Sequence, residues 1–148
     1  MRTYLLWLKL PPEYGGLHCT LMPRFEIRAS PQEMKSEFDA LFKLCEPMVL
    51  TFYQRALFGI AEDVPVSELV QTVALKNLHG DIVRTLNIHF NPRMLHRDWI
   101  LNGYHPHVTD IDGHSFPVGG KTQARQIELI EFDGSDKKVR LNWQLECS

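Results

Sequence analysis

The chain has 148 residues, 44% hydrophobic and 23% charged, which supports a packed core and excludes an intrinsically disordered chain. Its formal net charge of -2 and pI near 6.4 exclude a strongly basic surface for long DNA or RNA. A small anionic ligand in a local pocket stays compatible with both, and the length fits a single domain spanning residues 1–148.

Residues Thr3 to Leu10 are rich in strand formers and stop at Pro11-Pro12; Leu17 to Met22 reads as a second strand, ended by Pro23. Ser30-Pro31-Gln32-Glu33 is a capping-box start, and Met34, Phe38, Leu41, Phe42 and Cys45 predict a helix to about Glu46. Met48 to Gly59 and Val64 to Leu75 read as a strand pair. Asn77 is the expected cap of a second helix carrying Leu78, Ile82, Leu86 and Phe90, closed by Asn91-Pro92. Tyr104 to Ile111 reads as a short strand. Ala124 to Phe132 and Lys138 to Leu145 flank Asp133-Gly134-Ser135-Asp136, a hairpin signal. The order is that of an α+β protein, with a hint of two related halves.

The three cysteines, Cys19, Cys45 and Cys147, have no CxxC spacing and suggest a reducing compartment. The apolar run Tyr4 to Leu10 contains Lys9 and is too short to serve as a signal segment or to span a bilayer, so a cytoplasmic protein without a membrane partner is expected. Lys137, Lys138 and Arg140 form the densest basic group and read as a solvated face beside a turn.

Two triplets carry the chemistry. Strand side chains alternate, so His18 and Thr20 share one face about 7 Å apart while Cys19 points to the other. His107-Val108-Thr109 repeats the arrangement in the other half of the chain. Cleaving a phosphodiester needs one group to take a proton from the attacking oxygen and another to protonate the leaving oxygen, and paired histidines suit both roles. Threonine hydroxyls donate hydrogen bonds to non-bridging phosphate oxygens.

His18-Cys19-Thr20-Leu21 and His107-Val108-Thr109 resemble the paired His-x-Thr/Ser signatures of the two-histidine (2H) phosphoesterase superfamily. That group includes RNA 2',3'-cyclic phosphodiesterases, LigT-like 2'-5' RNA ligases and phage enzymes that destroy cyclic-nucleotide defence signals. The resemblance implies a bilobed α+β fold, two small antiparallel sheets around a central groove with helices outside. It also implies metal-free catalysis without a cofactor, His18 and His107 acting as acid and base and Thr20 and Thr109 holding phosphate. The implied substrate is a cyclic nucleotide, a 2'-5' oligonucleotide or an RNA 2',3'-cyclic phosphate. Asp110 departs from the apolar residue usual after the second threonine.

Other readings of these residues remain open. His105, His107 and His114 with Asp110 and Asp112 are alternative divalent-metal ligands, and the four His-Thr side chains alone would suit a non-catalytic nucleotide-binding module. Tyr4, Trp7, Tyr104, Phe116 and Trp143 are candidates for stacking on a base, Tyr104, Phe116 and Trp143 above all. His79, His89 and His96 read as surface or packing residues, and Cys19, facing away, is not expected to act as a nucleophile.

Overall fold

A computed structural model describes residues 1–146, which leaves Cys147 outside the described residues. The strands are β1 (Arg2–Lys9), β2 (His18–Ile27), β3 (Met48–Phe58), β4 (Val64–Leu69), β5 (Arg93–Met94), β6 (His107–Thr109), β7 (Lys121–Ala124), β8 (Gln126–Asp133) and β9 (Asp136–Gln144). Two helices, α1 (Pro31–Phe42) and α2 (Val73–His89), complete an α+β architecture. Every strand pairing is antiparallel, in the order β7-β3-β4-β6-β2-β1-β8-β9, with β5 beside β2. The two small sheets implied by the sequence resemblance thus correspond to the two arms of one curled path. The arm β7-β3-β4 and the arm β2-β1-β8-β9 meet at the three-residue strand β6.

Alternation along β1 explains which face is which. Tyr4, Leu6 and Leu8 are fully buried, and they share one cluster with Met34 and Phe38 of α1 and Leu75, Ile82 and Leu86 of α2. Leu5, Trp7 and Lys9 point the other way, into the groove formed by the curl. Burying a side chain of this size stabilises by about 1.5–3 kcal/mol, so the helices hold the back of the sheet while its front stays open for chemistry.

Several boundaries differ from the sequence expectations, each for a local reason. β2 runs through Pro23 to Ile27, because the β1–β2 register shifts there: Tyr4 pairs with Phe25 but Leu6 with Met22. Pro23 and Arg24 occupy the resulting bulge, where a missing N–H is tolerated. α1 begins as expected, with Glu33 N–H donating to Ser30 Oγ at 3.3 Å. It stops at Phe42 instead of about Glu46, because Leu44 and Cys45 bond back three residues and Pro47 disfavours helix at Glu46.

α2 starts earlier than Asn77. Thr72 is its cap, accepting from the Leu75 N–H at 3.1 Å, so β4 ends at Leu69 and not at Leu75. A hydroxyl that satisfies an otherwise unpaired helix donor outweighs the weak strand preference of Val70 and Val73. The predicted stripe Leu78, Ile82 and Leu86 is buried, whereas Phe90 forms the C-terminal cap. β6 is shorter than Tyr104 to Ile111, and Ala124 belongs to β7, which breaks from β8 at Arg125. The hairpin turn at Gly134-Ser135 joins β8 and β9 as expected, with Gly134 at φ 63°.

Candidate active site

The site is set by a single strand pairing. Cys19 of β2 stands opposite Val108 of β6, and both side chains are fully buried. Antiparallel register then sets His18 beside Thr109 and Thr20 beside His107, all four on the groove face. Direct neighbours in such a pair lie about 5 Å apart and the diagonal pair His18 and His107 roughly 7–8 Å apart at the backbone. A phosphate group fits within that span.

Flanking strands add a second ring of residues at the same registers. Trp7 stands opposite Thr20 and Lys9 opposite His18 on β1; Glu68 stands opposite His107 and Val66 opposite Thr109 on β4. The Trp7 indole stacks on the His18 imidazole with ring centres 3.7 Å apart and planes 22° from parallel. Its Nε1–H donates to Glu128 Oε1 at 2.9 Å, and Glu128 is itself buried. On the other side Phe58 meets His107 edge-on at 4.7 Å. Each histidine therefore has an aromatic support.

Protonation is constrained by these surroundings. The His107 Nδ1–H donates to the His105 carbonyl at 2.8 Å, because a carbonyl can only accept, and in the neutral ring this leaves the Nε2 lone pair unprotonated. Burial holds the His107 pKa below the ordinary 6.5, opposed by that hydrogen bond and by Glu68. Burial drives His18 further, to about 4, with Lys137 and the charge of His107 adding to the shift and a hydrogen bond to the Gly16 backbone opposing it. Burial also pushes the Cys19 thiol up to about 12, so it stays protonated and faces away from the groove.

Asp110, the departure noted in the sequence, has a partner. Arg55 of β3 grips both its carboxylate oxygens, Nη1 to Oδ1 at 2.8 Å and Nη2 to Oδ2 at 2.6 Å. The same Nη1 donates to Ser67 Oγ at 2.8 Å, and Ser67 donates to the Phe116 carbonyl at 3.1 Å. Arg55 holds the Asp110 carboxyl below its usual range. This chain pins the end of β6 immediately beyond Thr109. Sequence reasoning flagged Asp110 but had no route to Arg55, 55 residues away.

A cleft of about 550 Å³ opens beside the pair and is lined by Thr20, His107 and Thr109 among others; His105 stands on its wall. His18 stands outside that lining, next to Thr109 and beneath the Trp7 ring. A smaller cavity of about 260 Å³ lies beyond Glu68 and His105.

Three aromatic expectations are corrected. Tyr104 reaches the cleft wall but is only 4% exposed; its ring stacks on His79 at 4.1 Å and its hydroxyl donates to the Thr20 carbonyl at 2.9 Å. Phe116 is buried against Tyr14, and Trp143 packs between Phe38 and Phe42 with its Nε1–H on Asp39 at 2.7 Å. Tyr104 and Phe116 are thus closed to a base by burial, and the half-buried Trp143 ring is engaged in packing with α1. Among the described residues no three histidine, cysteine or carboxylate side chains converge as metal ligands. The alternative cluster is therefore not assembled: His114 packs against Gly15, whose added Cβ would meet its ring at 2.8 Å, and Asp110 is committed to Arg55. Two basic expectations also divide. Arg140 binds Glu131 on the outer strands, but Lys137 turns toward the groove, over Phe132 and within the field of His18.

This antiparallel curl with helices on its back is the LigT-type phosphoesterase fold. A crystal structure described as a phosphoesterase matches at 16% identity over 99% of both chains, with a TM-score of 0.62. Escherichia coli LigT complexed with 3'-AMP matches at 15% identity over 99% of both chains, with a TM-score of 0.61. A Thermus thermophilus protein matches at 15% identity over 98% of both chains, with a TM-score of 0.60. No protein-family model and no curated protein matches the sequence. Among the described residues no helix is long and apolar enough to cross a membrane.

Proposed function

We propose that the chain is a phosphodiesterase that cleaves a phosphodiester in a small nucleotide without a metal ion, using His18 and His107 as the acid–base pair. The observation that carries this reading is the Cys19–Val108 pairing, which sets two His-Thr units side by side on one open face. One imidazole takes the proton of the attacking hydroxyl or water; the other gives a proton to the departing oxygen. Thr20 and Thr109 donate to the non-bridging oxygens, where charge accumulates. In the free chain both rings are held below the usual histidine range and are neutral at pH 7. A phosphate between them supplies the negative charge that lets one ring protonate.

Support for the substrate class comes from size and charge. The cleft volume lies in the roughly 300–1,000 Å³ range of small-molecule sites, and the chain has a net charge of -2. LigT has been crystallised with 3'-AMP and with ATP, both nucleotides with a terminal phosphate. A cyclic nucleotide, a 2'-5' oligonucleotide or an RNA 2',3'-cyclic phosphate all meet these conditions. The test is a panel of these compounds incubated with the chain in EDTA, with products identified by mass. For a 3'-5' linkage, cleavage that persists in EDTA and fails for a 2'-deoxy analogue means attack by the neighbouring 2'-hydroxyl; a 2',3'-cyclic phosphate, whose two sugar oxygens are both esterified, is opened by water. Cleavage of that analogue means attack by water. Binding without products in any condition, or activity that returns only with added metal, contradicts the reading.

A further inference from the structure

The far end of the cleft holds Trp99 and Arg24, which the catalytic scheme does not use, and Lys137 stands nearby on the ring that Arg24 covers. Trp99 lines it with 54% of its surface exposed, and one face of its ring is backed by His96, with centres 4.2 Å apart and planes 12° from parallel. Arg24, aimed into the cleft by the β2 bulge, lies 4.1 Å from the centre of the Phe132 ring. Lys137 approaches the same ring from β9, at 5.9 Å. Among the described residues neither cation forms an ion pair, whereas Arg2, Arg55, Arg84, Arg93 and Arg140 all do.

The loop carrying Trp99 is built to stay in place. His79 accepts from the Leu101 N–H at 2.8 Å while its own Nδ1–H donates to the Leu21 carbonyl of β2 at 2.6 Å, next to Thr20. Gly103 closes onto Asp98 so tightly that a Cβ there would lie 1.9 Å from the Asp98 carbonyl oxygen. An exposed indole held rigidly in a cleft is a low-entropy platform for a planar ring, and unpaired cations beside it suit an anion. Phosphate and flat ring, in one cleft continuous with Thr20 and His107, are the parts of a nucleotide.

We propose that this end of the cleft is a second-nucleotide subsite, in which Trp99 stacks on a base and Arg24 with Lys137 binds the next phosphate. The substrate then carries at least two phosphate-linked nucleotide units, and a mononucleotide cyclic phosphate is a truncated one. This narrowing rests on the phosphodiesterase reading but is tested apart from it.

The test measures binding by calorimetry, using dAMP and the dinucleotide pdApdA, which has two phosphates and no 2'-hydroxyl. The expected result is that pdApdA binds more tightly than dAMP by about 10-fold or more, the gain of one base stack. Arg24→Gln, Lys137→Gln and Trp99→Ala each shrink that ratio several-fold, and the cation variants also flatten its dependence on salt. Lys138→Gln, on the outer edge, serves as the control for general charge. Equal affinity for the two ligands, or a ratio that none of the three variants changes, overturns the subsite. Hydrolysis is scored separately with the whole panel of cyclic nucleotides, 2'-5' oligonucleotides and 2',3'-cyclic phosphate ends. Absence of cleavage throughout the panel removes the catalytic reading while the binding ratio still decides the subsite.

Discussion

The two His-Thr units have the same chemistry but unequal support. His18 lies on a ten-residue strand whose buried face is packed on α2, and its ring rests on Trp7, itself tied to Glu128. His107 lies on a three-residue strand, too short to be stable alone, and depends on neighbours on both sides. Arg55, Asp110 and Ser67 clamp its far end and the His105 carbonyl fixes its ring. A long packed strand positions a residue by burial; a short one needs polar ties. Damage to one side should therefore reduce stability, and damage to the other should reduce turnover.

The largest effect is expected from the rings themselves. His18→Ala and His107→Ala should each lower kcat by about 10²–10⁴-fold, the usual contribution of general acid–base groups, with circular dichroism unchanged. A variant with near-normal kcat would break the pairing. Glu128→Leu comes next: it strands the Trp7 N–H in a half-buried place, so urea unfolding should show a loss of about 1–3 kcal/mol, and turnover should fall because His18 loses its backing. Unchanged stability would mean that Trp7 is not held as described.

Arg55→Gln sharpens the contrast. The pair is partly exposed, with side chains 39% and 24% accessible, so the stability cost should stay within about 1 kcal/mol. Turnover should nonetheless fall by about 10-fold or more, with kcat affected more than KM, because the end of β6 is released. An equal loss in stability and rate would make the clamp merely structural.

The smallest effect concerns pH. A histidine whose folded pKa is depressed contributes stability that is complete above its unfolded value and lost as pH falls through the folded one. For His18 the window runs from 6.5 down to about 4. His18→Gln should flatten the stability profile in that window, measured by denaturation at several pH values. Lys137→Gln should shift the His18 pKa upward, since that ammonium adds to the depression. With both rings depressed, kcat/KM should peak below pH 6.5, while bound phosphate should move the kcat profile to higher pH.

The placement of the two triplets was legible in the sequence because it depends on alternation alone. His18, Thr20, His107 and Thr109 needed only to be in strands for their shared faces to follow, and both triplets are. What supports them was not legible, because it comes from strand neighbours. Trp7 meets His18 only once the β1–β2 register is known, and Arg55 meets Asp110 only once β3, β4 and β6 are ordered. The aromatic expectations failed for a related reason. Tyr104, Phe116 and Trp143 were weighed by residue type, whereas exposure within the cleft points to Trp99, which ends a single 3-10 turn too short to carry a periodic pattern. Arg24 was hidden by a bulge that a proline inside the strand only hinted at.

Whether the two imidazoles act on one phosphate is tested most directly by nitrogen-edited NMR of the histidine rings, titrated with pH in the absence and presence of inorganic phosphate. His18 and His107 should start below 6.5, and phosphate should raise both together, while His79, fixed between Leu21 and Leu101, should not respond. If phosphate shifts only one of the two rings, or neither, then His18 and His107 do not form a shared site.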